Sequence, residues 1–287
     1  LTLGQALSQA KATLLSHGIS EARLESEALL MHTLGVGRAQ LYSRLQEELP
    51  PPQLEEFQKL VQRRLRREPL PYILGHREFF GIDFYIDRRA FIPRPESELL
   101  VEQALEFASH LSLCIIADVG TGSGAVAVAL ARHLPQSTIY AIDLSGEALQ
   151  VAAINCHRHG VAYRVHLLQG DLLQPLPQPV HLIVANLPYV RSEELSQLDP
   201  EISDFEPALA LDGGKEGTEK IRQLLAQSSG KLRSPGLILL EIGQGEGEAV
   251  LSLAKSHFPS ARIELLPDLG GIERGVRIEV APSPGMP

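Results

Sequence analysis

Four consecutive residues, Asn186-Leu187-Pro188-Tyr189, carry the densest chemistry in the chain. They follow the apolar run Leu182-Ile183-Val184-Ala185, and Pro188 cannot extend a strand ladder, so they stand at a strand's carboxyl end. The Asn186 side-chain oxygen and the backbone carbonyls of Leu187 and Pro188 are acceptors suited to an NH2 group. The Tyr189 ring can lie flat on a planar amide or base. Together they make a receptor for a planar, amino-bearing group. The plainer alternative is a strand leaving through an ordinary Asn-Pro turn.

Upstream, Asp118-Val119-Gly120-Thr121-Gly122-Ser123-Gly124 joins an apolar strand to a helix. Its glycines allow a tight turn and close approach of a ligand to the backbone. Counted through Ala125, the same residues also fit a dinucleotide fingerprint. Asp143 lies nineteen residues beyond Gly124 and ends the next strand, where a carboxylate can accept both ribose hydroxyls. Asp171, in Gly170-Asp171-Leu172, is placed to accept from an adenine amino group, or is simply a turn residue. Leu144 and Leu172 flank these carboxylates, and Phe91 is a candidate lining residue. An NAD enzyme also needs a diphosphate site and a hydride partner, for which no His or Lys constellation stands out. S-adenosylmethionine has no phosphate, and its sulfonium suits an acidic, aromatic-lined pocket.

Composition narrows the field further. The 287 residues are 44% hydrophobic, enough for a sizeable core, and no run approaches a membrane span. The first residues lack the basic-then-apolar pattern of a signal peptide, so a cytoplasmic location is expected. Cys114 and Cys156 are the only cysteines and read as small buried thiols. None of the ten histidines has zinc-ligand spacing, so no metal is expected. The net charge of −9 argues against broad nucleic-acid binding and predicts no stable nucleic-acid partner.

The elements that must position these residues fall into two patterns. Residues 1–75 read as a helical bundle, with Leu3, Leu7, Ala10 and Leu14, then Leu24, Ala28, Met31 and Leu34, at helical spacing. Ser20 is a candidate N-cap for the second helix. A helix from Gln53 ends in Arg63, Arg64, Arg66 and Arg67, either a solvated face at a helix C-terminus or a docking patch. Residues 76–91 read as a β-hairpin connector around Gly81. Ser97 or Glu96 is placed to open the next helix. From Leu111 onward strands and helices alternate to the end, apart from a short proline-rich tail from Pro282 to Pro287. That alternation predicts an α/β fold with a doubly wound, mostly parallel sheet over 92–287.

Specific phrases then carry a resemblance. Pro71–Gly81 (PYILGHREFFG), Phe91–Glu98 (FIPRPESE) and the glycine loop come first. They are followed by Asn186–Val190 (NLPYV), Phe205–Gly217 (FEPALALDGGKEG) and Leu240–Glu246 (LEIGQGE). Together they resemble the release factor glutamine methyltransferase family, class I S-adenosylmethionine-dependent enzymes, over nearly the whole chain. The family's usual tetrapeptide is Asn-Pro-Pro-Tyr, and Leu187 here replaces the first proline.

The resemblance implies a seven-stranded methyltransferase sheet behind a helical domain that grips the substrate. It also implies a substrate, the glutamine of a Gly-Gly-Gln motif in class 1 peptide chain release factors, methylated on its side-chain nitrogen. By the resemblance Asn186, Pro188 and Tyr189 are catalytic, and Leu187 and Arg94 help hold substrate. The cofactor set is Phe91, Asp118, Gly120, Thr121, Gly122, Ser123, Gly124, Asp143, Leu144, Asp171, Leu172 and Asn186. Arg94 and Glu96 order the pocket entrance or form an interdomain ion pair. Glu241 lines the site or is a solvated strand-end carboxylate. The NLPY spelling also occurs in ribosomal RNA adenine dimethyltransferases, which keeps adenine-N6 methylation open as an alternative. A non-catalytic nucleotide-binding module would leave Asn186–Tyr189 unexplained.

Overall fold

The computed structural model describes residues 1–268 and 270–281, so the proline-rich tail lies outside the described residues. The chain divides into two compact units. One is Leu1–Gly75 with Pro200–Phe205; the other runs from His76 to Asp199 and continues from Glu206.

The first unit contains α1 (Leu3–Ser16), α2 (Ala22–Leu34), α3 (Arg38–Ser43), α4 (Pro51–Leu65) and α5 (Leu70–Leu74). Thr2 and Gln5 form a reciprocal capping box at the start of α1. Leu3, Ala6, Ala10 and Leu14 make the buried stripe of that helix, with Leu7 packed at its margin. In α2 the expected stripe is rotated: Ala22, Ser26, Leu29 and Leu30 are buried and Leu24 is exposed. Apolar residues lie on more than one side of this helix, so spacing alone did not select the core face. Ser20 does not cap it; Glu21 holds the cap position without a side-chain hydrogen bond. Pro69 holds the cap position of α5 and Pro71 lies in its first turn, where no N–H is needed.

In the second unit the elements are β1 (His76–Phe79), β2 (Ile82–Tyr85), α6 (Glu98–Ala108), β3 (Ile115–Val119), α7 (Ala125–His133), β4 (Thr138–Asp143), α8 (Gly146–Arg158), β5 (Val165–Gln169), β6 (Val180–Ala185) and β7 (Val190–Arg191). After α9 (Pro200–Ser203), which belongs with the first unit, come β8 (Asp212–Gly214), α10 (Glu219–Ser228), β9 (Leu232–Glu241), α11 (Gly247–His257), β10 (Arg262–Pro267) and β11 (Glu273–Val280).

Seven strands form the central sheet in the order β10-β11-β9-β6-β3-β4-β5. The five from β9 to β5 are parallel, and β11 runs antiparallel to both its neighbours. Alternation along each strand feeds two cores. Leu182 and Val184 of β6 point to the layer with α6 and α7, while Ile183 and Ala185 point to the layer with α10 and α11. The β1–β2 hairpin turns at Phe80–Gly81 and buries Phe79 and Phe84 in the first of these layers. The chain runs β3, β4, β5 in one direction and then returns to lay β6 on the other side of β3. That reversal is the topological switch point of the sheet, and ligands of such sheets bind at the carboxyl ends of the strands there.

The basic run in α4 has an interior member. Arg64 is 3% exposed and donates to Glu25 at 2.5 Å and to Glu201 at 2.6 Å. Arg63 pairs with Glu68 at 2.8 Å. Neither the solvated face nor the docking patch describes Arg64, which ties the Pro200–Phe205 excursion into the helical unit.

Candidate active site

Strand register brings the key residues into one row. Val119 is level with Ile142 of β4 and with Ala185 of β6, and Ala185 is level with Leu240 of β9. The next residue on each strand is therefore Asp143, Gly120, Asn186 and Glu241, side by side at the carboxyl ends. A Cβ on Gly120, whose φ is +75°, would stand 3.0 Å from the Asn186 carbonyl oxygen and 3.3 Å from the Leu187 side chain. Only glycine lets the two loops approach so closely.

Within the glycine loop the carboxylates have distinct surroundings. Asp118 is 2% exposed and accepts from the Thr121 hydroxyl at 2.6 Å and the Ala127 N–H at 3.1 Å. Burial pushes its carboxyl up to about 6, partly offset by those donors. Its contacts lock the loop to the start of α7. Asp143 accepts from Gly122 N–H and Ser145 N–H, both at 2.8 Å, and burial raises its carboxyl despite these donors. Each oxygen retains lone-pair capacity for a further donor, such as a ribose hydroxyl. Beside it Leu144 is exposed, an apolar surface open to a planar ring. Thr121 and Ser123 are buried within the loop. Leu172 is buried with a φ of +51°, and Asp171 stays half-exposed, 3.9 Å from Lys220. These features fit an adenosine-bearing cofactor laid across β3 and β4.

The Asn186 side chain is held by a contact that spacing did not reveal. Its Nδ2 donates to Ser97 Oγ at 3.0 Å, and Ser97 Oγ donates to Glu241 at 2.5 Å. Glu241 is 4% exposed, so it is not a solvated strand end; burial pushes its carboxyl up to about 7. Ser97 does sit at the N-cap of α6, yet its hydroxyl makes no cap bond and reaches Glu241 instead. Leu187 is buried at 5% exposure, packing in the layer of α10 and α11. Burial, with the Glu241 charge nearby, pushes the Tyr189 hydroxyl up to about 12, so it stays protonated at neutral pH.

Two further motifs brace this loop. β7 continues from Tyr189 and pairs with β8, whose Gly213 backbone runs so close that a Cβ there would fall 2.7 Å from the Pro188 carbonyl oxygen. Arg94 is ion-paired to Glu206 within the second unit, and its guanidinium lies 4.6 Å from the Phe91 ring centroid. Glu206 also accepts from the Ile92 N–H at 3.2 Å, tying FIPRPE to FEPALALDGG. Asn186 and Gly120 were legible from their motifs, and Glu241 was open as a lining residue; Ser97 and Glu206 join the site through contacts more than eighty residues apart in sequence.

Comparisons with known proteins follow this geometry. Residues 5–75 match the family model of the PrmC N-terminal domain, and residues 116–204 match that of a methyltransferase domain. Over 275 residues the chain is 42% identical to a protein named release factor glutamine methyltransferase from Moorella thermoacetica, covering 96% of this chain and 97% of that one. The chain belongs to the release factor glutamine methyltransferase family. A family member from Geobacter sulfurreducens is 40% identical over 253 residues, covering 88% of each chain. Among solved structures, a methyltransferase from Pyrococcus furiosus superposes with a TM-score of 0.51 at 17% identity, covering 70% of this chain and 90% of that one. A ribosomal protein L11 methylase from Lactobacillus delbrueckii subsp. bulgaricus gives 0.50 at 21% identity, covering 68% and 84%. These two share the fold.

Proposed function

We infer that this chain methylates the side-chain nitrogen of the glutamine in the Gly-Gly-Gln motif of class 1 peptide chain release factors, using S-adenosylmethionine. The observation that carries the reading is the Asn186 carboxamide. Its nitrogen is already committed to Ser97, which leaves its oxygen as the free acceptor of a residue whose backbone carbonyl packs against Gly120 of the glycine loop. An acceptor there suits an amide NH2. The adenine alternative is not favoured, because the relatives named as release factor glutamine methyltransferases align over most of the chain.

An amide nitrogen is a weak nucleophile because its lone pair is delocalised into the carbonyl. Asn186 Oδ1 and the backbone carbonyl of Leu187 or Pro188 hold the two N–H groups and turn the nitrogen toward the cofactor side, an orientation effect. The same acceptors stabilise positive charge developing on nitrogen. Tyr189 packs on the amide plane as a neutral ring. Asp143 and the glycine-loop backbone hold the adenosine part, with Leu144 against the base. When bound, S-adenosylmethionine would supply an electrophilic methyl on positively charged sulfur, and the proton that the amide nitrogen gives up would pass to water. The helical unit is assigned to gripping the protein substrate, since one side chain offers too little contact area.

Methyl transfer from labelled S-adenosylmethionine tests this reading. Label is expected on a wild-type release factor, and on neither a factor with the Gly-Gly-Gln glutamine replaced nor unmethylated ribosomal RNA. Label on the RNA alone would overturn it.

A further inference from the structure

Ser97, Asn186 and Glu241 come from the start of α6 and the ends of β6 and β9, yet they form one continuous hydrogen-bonded chain. Ser97 and Glu241 are each 4% exposed. Burying a carboxylate and a hydroxyl together is costly unless they serve each other, and here they do so at 2.5 Å. We propose that Glu241 and Ser97 are positioning residues that fix which end of the Asn186 carboxamide faces the substrate, so that the site accepts an amide and turns away a carboxylate.

The polarity follows from proton counting. An ionised carboxylate only accepts, and a serine hydroxyl has one proton. With that proton committed to Glu241, Ser97 Oγ offers lone pairs alone toward Asn186. The Asn186 NH2 must therefore face Ser97, and its oxygen must face away. Rotating the carboxamide by half a turn would set two acceptors against each other and present NH2 to the substrate pocket. Such a donor would welcome a glutamate side chain in place of glutamine. Glu241 thus acts through Ser97, and through its own interaction with the Asn186 side chain, on a substrate group that it does not touch. The proposal rests on the glutamine-directed reading above and adds the device that enforces it.

The test measures binding of two release factors, one carrying Gly-Gly-Gln and one Gly-Gly-Glu, with S-adenosylhomocysteine present. Wild type, Ser97→Ala and Glu241→Gln are compared, with initial rates on the Gln form. Wild type is expected to bind the Glu form at least about tenfold more weakly, as sites built around a specific hydrogen bond reject its mismatch. Both variants are expected to bring that ratio close to one and to lower kcat about tenfold or more, with S-adenosylhomocysteine affinity retained. A variant that folds and keeps the wild-type ratio overturns the proposal, even if its rate or melting temperature falls. Should Ser97→Ala not fold, Glu241→Gln decides alone. A wild type that transfers no methyl to the Gln form strikes the reading of function itself, whereas retained discrimination beside an active wild type strikes only the relay.

Discussion

Gly120 and Asn186 touch across the carboxyl ends of β3 and β6, with the Asn186 carbonyl oxygen 3.0 Å from where a Gly120 Cβ would be. The cofactor loop and the acceptor loop are therefore one packed object. Replacing Gly120 disturbs both at once. Gly120→Ala forces a side chain into a φ of +75° against backbone, which costs on the order of 1–3 kcal/mol. Denaturant unfolding is expected to show that loss, and S-adenosylhomocysteine titration a weakened affinity. Wild-type values in both would mean that the loops are not in contact.

Asp143 joins Gly122 and Ser145 through one carboxylate. Asp143→Ala removes the charge offered to the ribose and the brace of the loop together. A charge-assisted hydrogen bond contributes about 1.5–3 kcal/mol, so affinity for S-adenosylhomocysteine should fall at least roughly tenfold. Calorimetric titration measures it; an unaltered dissociation constant would remove Asp143 from the cofactor site.

The carboxyl ends of the strands were readable because glycine, asparagine and aspartate stop apolar runs abruptly. Alternation placed the strands, and the Gly120, Asp143 and Asn186 motifs fell at their ends. Glu241 stayed open between lining the site and facing solvent because a strand-end carboxylate looks the same in sequence whether water or Ser97 meets it. Arg64 looked like surface charge for the same reason: its partners Glu25 and Glu201 lie 39 and 137 residues away. Burial of a charge depends on long-range pairing, which spacing within one helix does not carry.

The buried carboxyls give a pH dependence with two signs. Glu241 is raised from 4.5 to about 7 by burial and by Glu96, against the opposing pull of Ser97, Asn186 and Arg274. Between those values the folded chain binds the proton more tightly than the unfolded chain. Its stabilising contribution is thus full below about 4.5 and is lost as pH rises through about 7. Activity runs the other way, since only the ionised carboxylate fixes the Ser97 proton. Wild-type kcat is expected to fall as pH drops below about 7, and Glu241→Gln to lack that limb. Parallel profiles for the two proteins would contradict the assignment.

Arg64 anchors Glu25 and Glu201 within the helical unit. Arg64→Ala leaves Glu25 without this cation, while Glu201 keeps Arg67 at 3.6 Å. The expected loss of stability is roughly 2–3 kcal/mol, below that of a fully buried pair because Glu201 keeps 27% of its side chain exposed. Thermal or urea unfolding of the variant checks it. A change within about 0.5 kcal/mol, the range of ordinary surface substitutions, would show the ion pairs to be superficial.

The acceptor role of Asn186 is tested most directly by Asn186→Ala, with methyl transfer to a class 1 release factor and S-adenosylhomocysteine affinity measured on the same preparation. Removing one preorganised group of this kind typically costs about 10²–10³ in kcat, so transfer should nearly vanish while cofactor affinity changes little. Turnover at the wild-type rate would contradict the amide clamp outright.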